Sequence, residues 1–114
     1  IALVATKSDW SLFAAGDLEP PAQHELINRV GPVDIYKVCH HGSKYQDEGL
    51  MRALSAQIAV ISVGTGNPYG HPAPESIDAL TRLGTQVLRT DRDGAIAITA
   101  TAHHLRVRKS KGRI

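Results

Sequence analysis

With 114 residues, 42% of them apolar and 21% charged, the chain has room for one small folded unit and is too apolar to be a disordered segment. Its single cysteine excludes an intramolecular disulfide and a cysteine-based zinc cluster. No apolar run approaches the roughly 18 residues that a membrane-spanning helix needs. The net charge of +2 is unevenly placed. Arg106, Arg108, Lys109, Lys111 and Arg113 all follow His104, so the remaining eight Lys and Arg face all 11 carboxylates. Residues 106–114 thus read as a basic tail on a mildly acidic body. Such tails are usually solvated, and phosphate is the partner they can touch. The sequence starts at Ile1 without Met or a signal peptide, already in strand-like residues, which points to a piece of something longer.

In chain order, Ile1 to Thr6 reads as a strand, Lys7-Ser8-Asp9 as a turn and Trp10 to Ala15 as its hairpin partner. Pro20-Pro21 open a helix after Glu19, because proline is tolerated where the first-turn N–H groups lack partners anyway. Leu26, Ile27 and Val30 give that helix an apolar stripe, and Gly31-Pro32 stop it. Val33 to Val38 is the next strand and runs into Cys39-His40-His41-Gly42-Ser43. A short helix from Glu48 to Ser55 carries Leu50, Met51 and Leu54 on one side. Ile58 to Val63 is apolar on both alternating faces, the mark of a buried central strand. A Gly/Pro-rich loop from Gly64 to Pro74 precedes a helix from about Glu75, with Ile77, Leu80 and Leu83 inward and Gly84 as its stop. Gln86 to Thr90, Gly94 to Thr99 and Leu105 to Arg108 read as closing strands, with Asp93-Gly94 as a tight turn. This order gives an α/β (α+β) fold, one mixed sheet with helices mainly against one face.

Three features fall at the C-terminal end of a strand, where α/β proteins place ligand-binding groups. They are Gly16-Asp17-Leu18-Glu19, His40-His41-Gly42-Ser43 and Gly70-His71-Pro72. A carboxylate and imidazoles meeting there suit zinc or manganese, which accept mixed oxygen and nitrogen ligands. Each feature also has a plainer meaning. Asp17 can cap the helix at Pro20. His40 and His41 can be a strand-end pair, and His71 can merely pin its loop by bonding a backbone carbonyl. Cys39 reads as a small buried hydrophobe. Gly64-Thr65-Gly66-Asn67 lacks the Lys-Ser/Thr of a P-loop, and no G-x-S-x-G makes Ser43 or Ser62 a nucleophile.

Taken together, G-D-L-E (16–19), K-V-x-H-H-G-S (37–43), I-S-V-G-x-G-N-x-Y-G-H-P (61–72) and R-T-D-R-D-G (89–94) resemble the metallo-β-lactamase-like domain of the ComEC family of competence DNA-internalisation proteins. The resemblance covers nearly the whole chain in order, with the basic tail outside it. It implies an αββα sandwich of two halves, of which residues 1–114 are the C-terminal one. It also implies a dinuclear zinc or manganese site at the edge between the halves. Asp17 would be the bridging carboxylate. One of His40 and His41 would be the late histidine ligand, with His41 preferred, and the other, His40 on that preference, would face the scissile phosphate. His71 would act beside the site as a polar or acid–base group. The first-half motif H-x-H-x-D-H is absent, and Cys39 stands where the family often has proline.

The resemblance implies a parent that is a metal-dependent phosphodiesterase or nuclease acting on DNA during transformation. The unit would lie on the extracytoplasmic side of a bacterial inner membrane, attached through other parts of the parent. Its partners would be DNA and the missing half, and this piece alone would be inactive with weak or absent metal. Two alternatives stand beside this: a small-substrate phosphodiesterase like the phosphorylcholine esterases that share H-H-G-S, and a non-catalytic structural or DNA-positioning domain. Without its other half, the sheet is expected to expose apolar positions such as Ile61, Val63, Ile96 and Ile98, giving a face-to-face homodimer or a marginally stable monomer.

Overall fold

The structure is a computed structural model and describes residues 2–111. It comprises strands β1 (Leu3–Lys7), β2 (Trp10–Ala14), β3 (Ile35–Lys37), β4 (Ile58–Ile61), β5 (Gln86–Arg89), β6 (Ile96–Thr101) and β7 (His104–Lys109). Helices are α1 (Pro20–Glu25), α2 (Glu48–Leu54), α3 (Pro74–Arg82) and the single turn α4 (Thr90–Asp93), with 3-10 turns at Ile27–Arg29 and Cys39–Gly42. The fold is mixed α/β, as its periodicities require. Ile1 and Arg113, named above in the first strand and the basic tail, lie outside the described residues.

The main sheet has the order β1-β2-β3-β4-β5. β1 and β2 form an antiparallel hairpin, while β2, β3, β4 and β5 run parallel. Phe13, Tyr36 and Ala59 stand in register across one face. Against that face lie Leu50, Met51 and Leu54 of α2 and Ala79 and Leu80 of α3, all buried. Each such leucine contributes about 1.5–3 kcal/mol by leaving water. Leu26, Ile27 and Val30 pack on the same core, but not as a stripe of one helix: α1 ends at Glu25, Ile27 lies in the following 3-10 turn and Val30 is extended. α2 begins where Asp47 Oδ1 accepts the Leu50 N–H at 3.1 Å, an N-cap that sets its start.

Several expectations are corrected. β6 and β7 do not join the main sheet; they form a separate two-stranded sheet. Ile96, Ile98 and Ala100 of that ribbon line a cleft of about 770 Å3 with Trp10, Leu12, Ala14, Ile35 and Val60 of the main sheet. The ribbon therefore shields part of the sheet's second face. Ile61 points the other way and is fully buried, and Val63, Ile96 and Ile98 are half-buried. Asp93-Gly94 is no hairpin turn: Asp93 ends α4, and the turn falls at Ala102-His103, both with positive φ. Leu83 is 41% exposed, and Ser76 and Ala79 take the inward places instead. Glu19, not Asp17, is the residue before α1, and it makes no side-chain cap. Arg106, Arg108 and Lys109 of the basic tail stand within β7.

Candidate functional site

Because β2, β3 and β4 are adjacent and parallel, the loops after them emerge side by side at one end of the sheet. Those loops carry Asp17, the His40-His41 pair and His71. His40, His41, Ser62, Val63, Gly64, Asn67, Tyr69, His71 and Thr90 line a cleft of about 560 Å3 there. Asp17 stands at its rim.

The histidine pair is held in an uncommon backbone conformation. φ is 50° at His40, 53° at His41 and 77° at Gly42, three consecutive left-handed residues. For residues with a Cβ this costs of order 1–3 kcal/mol each, so it persists only where the surroundings over-determine it. They do. The His40 N–H donates to Gly16 O at 2.8 Å, and the Gly42 carbonyl accepts from Ala73 N at 2.8 Å. Gln46 Nε2 reaches both Cys39 O (2.8 Å) and Ser43 O (3.1 Å). Beneath the turn, Cys39 is fully buried and its N–H meets the Tyr36 hydroxyl at 3.4 Å. Burial pushes the Cys39 thiol above its ordinary range and does the same to the Tyr36 hydroxyl, so neither ionises here. Gly42 is obligatory: a Cβ would lie 2.9 Å from Pro72 Cβ and 3.1 Å from Ile61 Cγ2.

Two of the three rings have a fixed tautomer. His41 Nδ1 lies 2.7 Å from Ser62 O, and His71 Nδ1 lies 3.2 Å from His40 O. A carbonyl can only accept, so in each ring Nδ1 carries the hydrogen and the neutral ring keeps a lone pair on Nε2. His71 therefore makes the loop-pinning contact of its plainer meaning and still keeps its other nitrogen free. His41 Nε2 faces Asp17 Oδ1 at 3.6 Å. That exceeds hydrogen-bond length and sets two acceptors opposite each other, an arrangement completed by a cation or a proton. His40 sits between its two neighbours, its ring centroid 5.7 Å from that of His71 and 6.4 Å from that of His41. Its Nδ1 is buried without a hydrogen-bond partner, with Glu19 Oε1 at 3.5 Å.

The four residues expected at the site are thus near one another, as two facing pairs: His41 with Asp17, and His40 with His71. A fixed-tautomer imidazole opposite a carboxylate is a fitting donor pair for zinc or manganese. Among the described residues, no three His, Cys, Asp or Glu side chains converge as a metal-binding group. The donor set here is a pair.

Sequence reasoning missed several supporting groups. Asn67 clamps the His71 backbone from both sides, Nδ2 donating to His71 O at 2.7 Å and Oδ1 accepting from His71 N at 3.2 Å. An Asn within a glycine-rich loop is a known signal for such backbone clamps. Thr90 Oγ1 accepts from Val63 N (2.8 Å) and donates to Val63 O (2.9 Å), which no periodicity announces. The R-T-D-R-D-G segment otherwise braces itself. Arg89 makes a bidentate pair with Asp91 that holds the carboxyl below its usual range. Burial pushes the Asp93 carboxyl up, but the Arg89 N–H and Lys109 outweigh it, and the net direction is down.

The fold and the cleft define a mixed α/β unit that gathers histidines and a carboxylate at the ends of its parallel strands. No family model matches the chain. Its homologues are competence proteins of the ComEC family. It is 38% identical over 89 residues to ComE operon protein 3 of Bacillus subtilis, covering 75% of this chain and 12% of that protein. It is 31% identical over 90 residues to Competence protein ComA of Neisseria gonorrhoeae, covering 75% and 13%. With Recombination protein 2 of Haemophilus influenzae it shares 26% identity over 102 residues, covering 89% and 13%. The chain spans only about an eighth of the length of these relatives. Among the described residues, no helix is long and apolar enough to cross a membrane.

Proposed function

We propose that residues 1–114 are the C-terminal half of a metallo-β-lactamase-like domain in a DNA-uptake protein, and that the assembled domain is a metal-dependent phosphodiesterase acting on DNA. The observation that carries this reading is the pair of opposed acceptors, His41 Nε2 and Asp17 Oδ1, 3.6 Å apart at the cleft. Asp17 and His41 would hold a zinc or manganese ion, which supplies Lewis acidity at a phosphoryl oxygen. His71, anchored through Nδ1, offers Nε2 to take up a proton and then return it to a leaving oxygen. His40, which lines the cleft between His41 and His71, would face the phosphate. A zinc site takes three or four protein ligands, so the missing half would bring the others. The isolated chain then binds metal loosely and does not cleave DNA. The competence role of its homologues supports DNA as the substrate and the extracytoplasmic side of an inner membrane as the place. Among the described residues, Tyr69 is the sole phenol ring on the cleft lining, which disfavours the aromatic cage of a choline-type substrate.

The test is a domain containing both halves. Asp17→Asn and His41→Ala should lower metal content, measured by elemental analysis, and abolish cleavage of labelled DNA. His71→Ala should abolish cleavage with metal content and melting temperature unchanged. Full cleavage by the His71 variant would reduce it to a loop residue, and full metal content in both others would overturn the ligand assignment.

A further inference from the structure

Every ionisable side chain from Gly94 onward is basic or a histidine. The β6–β7 ribbon gives that composition a direction. Burial alternates along β6, with Ile96, Ile98 and Ala100 half-buried on the side of the main sheet and Ala97, Thr99 and Thr101 exposed, which defines the outer face. Across the outer face Ala97 pairs with Arg108, Thr99 with Arg106, and Thr101 with His104. Small side chains on one strand thus leave the arginines of the other standing clear. Arg106 and Arg108 are exposed and form no ion pair with the described residues, whereas Lys109 on the inner side is engaged by Asp93 at 3.3 Å. Alternate residues of a strand lie about 6.8 Å apart, a fixed spacing for two cations.

The ribbon also runs between the two ends of the main sheet. At its turn, His103 bonds Asp34 and Asp9 at the end where β3 begins. At its far end, Lys111 N donates to Asp93 O at 3.0 Å. Asp93 closes α4, whose first residue, Thr90, lines the histidine cleft.

We propose that the outer face of this ribbon is a nucleic-acid backbone contact, with Arg106 and Arg108 on phosphates of a strand led towards the cleft; it rests on the reading of that cleft as a DNA phosphodiesterase. Nucleic acid fits better than an anionic membrane surface, because Ala97, Thr99 and Thr101 offer no Trp, Phe or Leu to insert among lipids. Phosphate neutralisation releases counterions, so binding has a measurable salt slope.

The experiment is fluorescence anisotropy of a labelled, mixed-sequence single-stranded oligonucleotide with the 114-residue chain across a salt series. Arg106→Gln with Arg108→Gln should weaken binding and flatten the log–log slope by about 1.4, at about 0.7 per phosphate contact. Arg29→Gln with Arg52→Gln removes the same charge from exposed sites elsewhere and should leave the slope unchanged. Circular dichroism checks that both variants fold. Equal flattening by both pairs, no oligonucleotide binding at all, or Arg106/Arg108-dependent capture by phosphatidylserine vesicles without oligonucleotide binding would each overturn the proposal. A flattened slope beside intact cleavage by the cleft variants would keep this surface and remove the cleft reading, so the two fail separately.

Discussion

The two ends of the parallel strands use the same chemistry, one aspartate and one histidine in contact, to opposite effect. Where β3 begins, Asp34 is buried and accepts from Ser11 N (2.9 Å), Gln57 Nε2 (2.8 Å) and His103 Nδ1 (2.7 Å). Ala102 N and His103 N also bind Asp9, which clasps the β6–β7 turn to the β1–β2 turn. Acceptors there meet donors, and the pair is closed. Where the same strands end, Asp17 and His41 are exposed, 3.6 Å apart, and the His41 hydrogen is already given to a carbonyl. Residue type does not separate the two histidines. What Nδ1 donates to does: the carboxylate itself at His103, and a backbone carbonyl at His41, which leaves Nε2 facing Asp17.

The comparison is broken most severely at Gly42. Gly42→Ala drives a Cβ into Pro72 and Ile61, and should cost about 3 kcal/mol in urea unfolding. Gly16→Ala, also at positive φ but with nothing within 4 Å, should cost only about 1 kcal/mol. Equal costs would mean that the histidine turn is not wedged as described.

Asp34→Ala is the next largest, at about 2 kcal/mol, because it removes the buried acceptor shared by Ser11 N, Gln57 Nε2 and His103 Nδ1. Hydrogen exchange at Ala102 and His103 should accelerate with it. Asp34 also sets a pH dependence. Burial raises its pKa, but His103, the Ser11 N–H and Gln57 outweigh burial, and the folded value lies below the ordinary one. A depressed carboxyl contributes stability that is fully present above its unfolded pKa of about 4 and is lost as pH falls through the folded value. Acid unfolding of Asp34→Asn should therefore show a shallower dependence in that window than the unsubstituted chain.

The smallest effect tests the open end. Asn67→Ala removes the clamp on His71 and should lower global stability by only about 1 kcal/mol, while exchange at Tyr69 and His71 rises sharply. Protection unchanged at those amides would show that the loop is held by Thr90 and Pro72 alone.

Much of this division was legible in the sequence, but unevenly. α2 and β4 were readable because Leu50, Met51 and Leu54, and then Ile58 to Ile61, carry unambiguous apolar patterns. The strand-end positions of Asp17, His40, His41 and His71 followed from the alternation of strands and helices. The closed end was not readable. Asp34 and His103 lie 69 residues apart, and the turn at Ala102-His103 lacks the Asn-Gly or Asp-Gly that marks a two-residue hairpin. Without that turn the ribbon looks like a continuation of the main sheet. Nor does any pattern foretell two successive left-handed histidines, since that conformation is imposed by tertiary bonds from Gly16, Gln46 and Ala73.

The buried thiol beneath the histidine turn makes the molecule its own gauge. Cys39 is the only cysteine, fully buried and held un-ionised, so alkylating reagents reach it only when the turn opens. The rate of thiol labelling therefore reads the opening equilibrium of the turn in the unmodified chain, with no probe added. Anything that bridges Asp17 and His41, or seats against His71, should slow that labelling in proportion to how firmly it holds the turn shut.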